Sequence, residues 1–382
     1  MKRRIVILTE IIAPYRIPLL NALAHSEAVD LRVIFLAETD PSLRQWEIPK
    51  EEIQFSYRVL PSWRRRVGRY NLLLNRGIGR ALADAAPQVI LCGGYSYVAS
   101  WQALVWSRRR GIPFLLWSES NAQDLRHGHA PVEFLKRAFI RQCAGFVVPG
   151  QSASEYLRGL GVKKDVIFTA PNAVDNDLFG RTAADARLNS EARQQALRLP
   201  ERYFVYSGRL VREKGIFDLL SAYAKLDDAV RQQVGLVFVG DGACRYDLEK
   251  KAASIKPGII QFAGFAQREL LASYYGLALA LVLPTYTDTW GLVVNEAMAS
   301  ALPVIVSRSA GCVMDLVREN CNGFVIPPGD VPALAGAMET LANHPELCKR
   351  MGAYSMQHIS QYSPAKWSEG IVRAAEAAGA CL

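Results

Sequence analysis

The stretch LALVLPTYTDTWGLVVNE, residues 279–296, combines an apolar strand, a glycine turn and the start of an apolar helix. Asp288 and Glu296 lie eight positions apart in it, and Gly291 stands at the mouth of the helix. A helix N-terminus attracts phosphate because its free N–H groups and its dipole both favour an anion. Carboxylates accept hydrogen bonds from sugar hydroxyls. Together these features predict a nucleotide-sugar site.

Glu296 is expected to lie within that site. The apolar residues on both sides of it predict a largely buried helix, in which a carboxylate is costly unless it is paired or hydrogen-bonded. Its position five residues beyond Gly291 places it roughly 7 Å deeper along the helix axis, about the reach from a diphosphate to a ribose. The open alternative is a buried Glu satisfied by protein groups, with Asp288 acting as a helix cap.

A second loop, Gly208-Arg-Leu-Val-Arg-Glu-Lys-Gly215, follows a predicted strand and precedes a predicted helix. Arg209 and Lys214 can converge there on one anion, Arg as a planar fork and Lys as a point charge. The loop lacks the glycine spacing of a Walker or dinucleotide-binding sequence. A surface turn with two solvated cations is the alternative interpretation.

Strands and helices alternate along the whole chain, which predicts parallel sheets built from βαβ units. The predicted strands are Arg4–Leu8, Leu31–Leu36, Phe55–Leu60, Val89–Cys92, Pro113–Trp117, Gly145–Val148, Val166–Thr169, Tyr203–Ser207, Leu236–Gly240, Ile259–Ala263, Leu279–Pro284, Pro303–Ser307 and Gly323–Ile326. The predicted domains are residues 1–175 and 201–362, joined by a linker with a solvated helix at 176–200. A last helix, at about 363–382, is expected to pack back on the first domain. We therefore predict an α/β protein with two Rossmann-like doubly wound domains facing across a cleft.

Charge and cysteine content narrow the class of protein. Residues 1–180 hold 24 Lys and Arg against 16 Asp and Glu, whereas the remainder holds 21 against 20. The basic first half suits solvated surfaces or an anionic partner, and no nucleic-acid motif accompanies it.

Seven cysteines without any Cys-x-x-Cys pair, together with an N-terminal apolar run too short for a signal peptide, predict a cytoplasmic protein without disulfides or zinc.

The pairing of the 208–215 loop with Asp-x₇-Glu at 288–296 resembles the retaining glycosyltransferases of family 4, which have the GT-B fold. Three further segments match that family: Pro171–Asp175, Gly240–Gly242 and Ala263–Phe265. The similarity runs over most of residues 145–330. The first 140 residues match only in general layout.

The resemblance implies roles for the second domain. Arg209 and Lys214 would neutralise the diphosphate, Glu296 would bind the ribose, and Phe262 would border the base. Gly208, Asp288 and the backbone from Trp290 through Gly291 to Leu292 would hold the phosphate and the transferred sugar. The resemblance also implies retention of configuration, no metal cofactor, and proton removal from the acceptor by the leaving diphosphate. The implied donor is an NDP-sugar, with UDP favoured over GDP.

The chain departs from the family pattern at three places, one in the second domain and two in the first. Asp288 stands where Glu is usual, and the loop from Glu10 to Arg16 lacks a double glycine. Glu119 follows the strand after which many members carry a His, and it is a candidate contact to a sugar or acceptor hydroxyl, with a solvated loop as the alternative. The remaining acceptor-side candidates are Pro14, Tyr15, Arg16, Asp124 and His127.

The acceptor is predicted only as a glycan, a lipid-linked molecule or a small molecule. The helix near Val132–Cys143 carries Phe134, Leu135, Phe139 and Ile140 beside basic residues, which suits an interfacial helix on the inner face of an anionic membrane. The core face of a crossover helix is the favoured alternative. A nucleotide-sugar epimerase, a glycosidase and a non-catalytic two-lobed binding protein are the competing functions.

Overall fold

The computed structural model describes residues 2–40, 46–67, 70–122 and 130–380. The chain forms two compact units, one holding the described residues up to Asn172 and from Pro364 onward, the other holding Ala173–Ser363. Each unit has its own parallel sheet covered by helices.

Unit 1 contains a seven-stranded parallel sheet with the order β3-β2-β1-β6-β7-β8-β9. The strands of this sheet are β1 (Arg3–Thr9), β2 (Val29–Phe35), β3 (Ser56–Val59), β6 (Val89–Cys92), β7 (Phe114–Trp117), β8 (Gly145–Val148) and β9 (Ile167–Thr169). Two further strands, β4 (Ser62–Val67) and β5 (Tyr70–Asn75), form a separate hairpin. The first helices of unit 1 are α1 (Ile17–Ala24), α2 (Ile78–Ala85), α3 (Val98–Arg108), α4 (Ala130–Ile140) and α5 (Gln151–Gly159). The central strands are buried throughout, as expected of a sheet covered on both faces.

Unit 2 contains a six-stranded parallel sheet with the order β12-β11-β10-β13-β14-β15. Its strands are β10 (Arg202–Ser207), β11 (Val234–Val239), β12 (Ile260–Gly264), β13 (Ala280–Leu283), β14 (Val304–Ser307) and β15 (Gly323–Ile326). Its helices are α6 (Asn176–Leu188), α7 (Ser190–Leu197), α8 (Ile216–Ala224), α9 (Asp228–Gln233), α10 (Arg245–Ala252), α11 (Arg268–Leu277), α12 (Leu292–Ala299), α13 (Val313–Leu316), α14 (Val331–Asn343) and α15 (Pro345–Ile359).

The last helix, α16 (Pro364–Ala380), belongs to unit 1. It packs against α1 and the last two strands of the first sheet, and Trp367 on it is fully buried. Among the helices of the described ranges, none has the length and hydropathy of a segment that crosses a bilayer.

Every strand predicted from the sequence is present within two residues of its predicted ends. Between the third and fourth predicted strands the sequence pattern predicts a helix near Leu72–Ala85. The first part of that prediction is wrong, because residues up to Asn75 form β5, which pairs with β4. The helix begins only at Ile78, after Gly77 in the left-handed region with φ 81°. The antiparallel hairpin of β4 and β5 was therefore missed.

The segment 176–200, predicted as a linker with a solvated helix, is part of unit 2. It forms α6 and α7, and α6 packs on α11 and α12. Phe179, Ala183 and Ala186 are buried at that face. Its many charged residues occupy the opposite face, which explains why composition alone indicated a solvated segment.

Candidate active site

The candidate site lies at the carboxyl edge of the second sheet, the edge at which its parallel strands end. The strand order reverses between β10 and β13: the chain proceeds outward from β10 through β11 and β12, and from β13 in the other direction. Ligands of open α/β sheets bind at such a switch point. The two predicted loops, 208–215 and 284–291, follow these two strands.

The loop after β10 is anchored by its backbone and leaves Arg209 accessible. Gly208 donates its N–H to the carbonyl oxygen of Val239 at 3.0 Å. The hydroxyl of Tyr206 donates to the carbonyl oxygen of Arg209 at 2.8 Å. The Arg209 guanidinium is about half exposed and lies 3.8 Å from the Glu213 carboxylate. A weak, exposed pair of this kind leaves the guanidinium available to an anionic ligand.

Gly215 brings the two loops together. It has φ 68°, and a Cβ at this position would overlap the carbonyl oxygen of Pro284 at the end of β13. The loops are also joined by hydrogen bonds, because the Thr285 hydroxyl and the Tyr286 N–H both donate to the carbonyl oxygen of Glu213, at 3.1 and 2.9 Å. Lys214, between Glu213 and Gly215, is thereby held against the segment that carries Asp288.

Lys214 and Asp288 form the central ion pair of the site. The Lys214 Nζ lies 2.5 Å from Asp288 Oδ2, and the two side chains are 14% and 20% exposed. The other carboxylate oxygen accepts the N–H of Trp290 at 3.2 Å. Lys214 is thus a partly buried, oriented cation, and Asp288 is a carboxylate engaged through both oxygens.

The helix α12 begins immediately beyond this ion pair. Gly291 precedes it with φ 99°, and no side chain caps its first turn within the described structure. The segment before it is fixed by the loop after β14, where Gly311 and Cys312 donate to the carbonyl oxygens of Asp288 and Trp290 at 3.1 and 3.0 Å. The first-turn N–H groups of α12 therefore form an oriented anion site next to Lys214.

Glu296 lies on α12 and accepts a hydrogen bond from Tyr275 of α11, whose hydroxyl oxygen is 2.8 Å from Oε2. Burial raises the pKa of Glu296 to about 7, and the hydrogen bond from Tyr275 partly opposes that shift. Among the ion pairs found in the described structure, none involves Glu296, whereas Lys214 pairs with Asp288. The two acids therefore have different environments, one neutralised by a cation and one held by a neutral phenol.

The remaining residues predicted to bind the donor are Trp290, Leu292 and Phe262. The Trp290 indole is buried and donates to Asn295 Oδ1 at 2.8 Å, so Trp290 can face a ligand only through its backbone. Leu292 is half-buried in the first turn of α12. Phe262 stacks on Phe238 at a ring-centroid distance of 5.1 Å and packs against the core. Its predicted role beside the base stays a prediction.

The acceptor-side candidates of unit 1 lie at the carboxyl edge of the first sheet. Pro14, Tyr15 and Arg16 form a 3₁₀ turn after β1. Arg16 donates to the Thr9 hydroxyl at 2.9 Å and to Glu119 Oε1 at 3.3 Å. Its guanidinium also stacks over the Trp117 ring, 4.4 Å from the centroid. Glu119 is therefore oriented by Arg16.

Three predictions on unit 1 have different outcomes. Asp124 and His127 lie outside the described residues. In the parts of the chain that are described, no group of three or more His, Cys, Asp or Glu side chains could hold a metal ion. On α4, Phe139 and Ile140 are buried in the core, whereas Phe134 and Leu135 are exposed. The core-face interpretation therefore holds for one end of α4 only.

Tyr275 is a member of the site that was not predicted from the sequence. It lies in α11, which carries no recognised motif, and its distance from Glu296 in the sequence gives no signal. Only the packing of α11 against α12 brings the two side chains together.

Replacing Tyr275 by Phe should weaken donor binding without unfolding the protein. The change removes the hydroxyl that orients Glu296, so we expect a roughly tenfold higher KM for the donor, on the scale of one hydrogen bond to a charged group. That hydrogen bond also lowers the Glu296 pKa. In the variant, the fall of kcat/KM at acid pH should therefore begin at a higher pH. Tyr203→Phe is the matched control, since its buried hydroxyl donates to the Tyr274 carbonyl oxygen. Equal effects of both variants would remove Tyr275 from the site.

Comparison with known proteins connects this geometry to two families. Residues 189–358 match the family described as glycosyl transferases group 1, and residues 19–178 match the glycosyltransferase family 4 domain. The chain is 28% identical over 256 residues to the sulfoquinovosyl transferase SQD2 of Arabidopsis thaliana, covering 62% of this chain and 48% of that protein. It is 34% identical over 172 residues to an alpha-D-kanosaminyltransferase of Streptomyces kanamyceticus, covering 43% of each chain. The chain spans about half the length of the curated relatives it matches.

Solved structures show the same fold. The Anabaena protein HepE in complex with UDP superposes with a TM-score of 0.77 at 17% identity, covering 98% of this chain and 99% of HepE. Sucrose-phosphate synthase from Thermosynechococcus elongatus gives a TM-score of 0.72 at 21% identity, covering 97% and 98%. The predicted fold class, two Rossmann-like α/β domains of the GT-B type, is confirmed.

Proposed function

Because this chain belongs to glycosyltransferase family 4, we propose that it transfers a hexose-type sugar, with retention of configuration, from a nucleoside-diphosphate sugar to an acceptor hydroxyl. UDP is the proposed nucleotide, a choice supported by the fold shared with UDP-bound HepE, and GDP is the rival. The acceptor is a glycan, a lipid-linked molecule or a small molecule.

One observation carries the proposal: Arg209, Lys214 and the first turn of α12 converge at the switch point of the second sheet. Two cations and a helix N-terminus at one point provide a diphosphate site that needs no metal ion. A glycosidase would not need such a site, because its chemistry depends on two carboxylates alone.

Lys214 has two tasks in this proposal. It neutralises Asp288, whose Oδ2 lies 2.5 Å from the Lys214 Nζ. When a diphosphate binds, its three donors can contact both the phosphate and the carboxylate. Asp288 then remains oriented by Lys214 and Trp290, and its oxygens can accept hydrogen bonds from hydroxyl groups of the transferred sugar.

Glu296 is proposed to bind the ribose. A carboxylate accepts from two neighbouring hydroxyls, and Tyr275 fixes one of its oxygens. Donor binding adds hydrogen-bond donors around a group whose pKa is about 7 in the free site. Hydrogen bonds to the charged form favour that form, so binding should lower this pKa.

The transfer step is proposed to depend on the leaving diphosphate. The acceptor oxygen forms its bond to the anomeric carbon on the face from which the diphosphate departs. The acceptor proton passes to a diphosphate oxygen, and Arg209 and Lys214 stabilise the developing negative charge. Asp288 is engaged through both oxygens, which supports a sugar-orienting role over that of a nucleophile.

Two alternatives remain testable. A nucleotide-sugar epimerase would use the same donor site but release no nucleotide. A two-lobed binding protein would bind a ligand without turnover. Both predict that the sugar is still bonded to the diphosphate through its anomeric carbon at the end of the assay.

The discriminating experiment measures nucleotide release from a panel of UDP- and GDP-sugars, with EDTA present and with or without candidate acceptors. We expect UDP release that survives EDTA and rises with an acceptor. Binding of a UDP-sugar without release would favour a binding protein, and conversion of the sugar without release would favour an epimerase. Loss of release with EDTA would contradict the metal-independent site.

Glu119 gives a prediction for the acceptor side. Glu119→Ala removes the carboxylate that Arg16 orients for contact with an acceptor hydroxyl, so transfer to an acceptor should fall about tenfold, the scale of a lost charged hydrogen bond. Donor hydrolysis without acceptor should be unchanged. Glu155→Ala, an exposed residue of α5 in the same unit, is the control. Wild-type transfer rates in the Glu119→Ala variant would exclude the residue from the site.

A further inference from the structure

The hairpin of β4 and β5 stands apart from both main sheets. The strands pair only with each other, with Trp63 opposite Leu74, Arg64 opposite Leu73, and Arg65 opposite Leu72. Cross-strand partners share a face, and successive residues alternate between faces. The hairpin therefore has two chemically different faces.

The inner face of the hairpin is anchored to unit 1. Leu73 is buried in the core. Arg64 forms ion pairs with Asp40 and with Glu10, which follows β1, and the Asn75 amide donates to the Leu36 carbonyl oxygen at 2.5 Å. These partners lie just beyond β1 and β2. The hairpin is thereby fixed at the carboxyl edge of the first sheet.

The outer face presents large apolar side chains to solvent. Trp63, Leu72 and Leu74 are 51%, 39% and 37% exposed, and Arg65 beside them is also exposed. Single exposed apolar residues are common, but a tryptophan and two leucines on one face of a two-stranded hairpin form a patch that marks an interaction surface.

The charge of this segment has one sign. Residues 53–83 contain seven arginines and no Asp or Glu. Three of these arginines, Arg64, Arg65 and Arg66, lie on β4. An apolar patch within a uniformly positive segment is complementary to a surface that is apolar inside and anionic outside.

We propose that the outer face of this hairpin docks on the surface of an anionic lipid bilayer. Tryptophan is favoured at the level of the lipid headgroups, and leucine reaches the acyl boundary below it. Arg65 contacts lipid phosphates while its apolar stem lies on the interface. The rigid inner face keeps these side chains on one plane, as a flat lipid surface requires.

Docking at this hairpin would bring the acceptor-side loop to the membrane. Arg64 connects the hairpin to Glu10, the first residue of the loop that leads to Arg16. This consequence rests on the proposed function and favours a lipid-linked acceptor among the three classes. The docking itself depends only on the hairpin.

The test is cosedimentation with vesicles of phosphatidylcholine alone or mixed with phosphatidylglycerol, at low and high salt. The wild-type protein should bind only the anionic vesicles and dissociate at high salt. The Trp63→Ser/Leu74→Ser double variant and the Arg65→Glu variant should each bind about tenfold more weakly. Thermal unfolding of both should match the wild type, because the changes lie on the exposed face.

Two further variants complete the design. Leu188→Ser, at an 86% exposed position of unit 2, should bind vesicles like the wild type. Phe134→Ser, on the exposed end of α4, should retain most binding. Three results would overturn the proposal: no binding of the wild type at low salt, wild-type binding by both hairpin variants, or loss of binding through Phe134→Ser alone. UDP release measured without vesicles should stay at the wild-type level in the hairpin variants, so that a failure of docking is separable from a failure of the donor site.

Discussion

Replacing Lys214 by Ala should lower kcat/KM for the donor by about a thousandfold, the upper range for removing one electrostatic contact to a developing anion. Lys214 is the less exposed of the two cations at the switch point, and Asp288 holds its Nζ in place. Its loss removes positive charge from the leaving diphosphate and leaves Asp288 without its cation. Both changes place net negative charge where the donor is anionic. The measurement is steady-state UDP release over a range of donor concentrations.

Controls separate this electrostatic role from a structural one. Lys225→Ala, an exposed lysine at the C-terminal end of α8, should retain wild-type kinetics. Lys214→Arg keeps the charge and should restore part of the activity, although the guanidinium cannot reproduce the compact ammonium geometry. A Lys214→Ala enzyme within a few-fold of the wild type would exclude the residue from diphosphate binding.

Replacing Glu296 by Gln should weaken donor binding while stabilising the ligand-free protein at high pH. The amide can still accept from Tyr275, but it is a weaker acceptor for ribose hydroxyls than a carboxylate. We expect a loss of affinity between about tenfold and a hundredfold, the scale of weakening two charged hydrogen bonds to neutral ones. Isothermal titration with UDP measures it.

The stability effect follows from the direction of the pKa shift. The pKa of Glu296 rises from 4.5 to about 7 on folding, because burial disfavours the charged carboxylate. The folded protein then holds its proton more tightly than the unfolded chain, so stability falls as pH rises from about 4.5 to about 7. Glu296→Gln removes this penalty and should raise Tm by a few degrees above pH 7.

The pH series contains its own control. Below about pH 4.5 the carboxyl group is protonated in both states, and the variant and wild-type proteins should have equal Tm. Glu339→Gln, on α14, is the control for the substitution itself. A Tm difference between Glu296→Gln and the wild type that is the same at pH 5 and pH 8 would contradict a buried, proton-binding Glu296.

The layout of both sheets could be predicted because its signals are local. Buried parallel strands are short, continuous apolar runs, such as Leu281–Leu283. They alternate with helices, whose apolar residues recur with a period of about 3.6 residues. The meeting of the Lys214 loop with Asp288 was also predictable, since both follow strands at one carboxyl edge.

The features that could not be predicted depend on contacts between residues that are distant in the sequence. Strand β5 was predicted as helix, because the run of leucines at 72–74 has no period of its own and its partner Trp63–Arg65 reads as a charged loop. Tyr275 was missed for the same reason: a phenol on one helix meets Glu296 on another only after both have packed. Residues 176–200 were predicted as a linker with a solvated helix, because the few apolar residues of α6 are buried only by its packing on α11 and α12.

The most direct measurement of the donor site is calorimetric titration of UDP into the wild-type protein, Lys214→Ala and Lys225→Ala, with EDTA present. The wild type and Lys225→Ala should bind one UDP with equal affinity, and Lys214→Ala should bind at least tenfold more weakly. A folded wild-type protein that gives no heat with either UDP or GDP, or a Lys214→Ala variant that binds UDP like the wild type, would contradict a nucleotide-sugar site at the carboxyl edge of the second sheet.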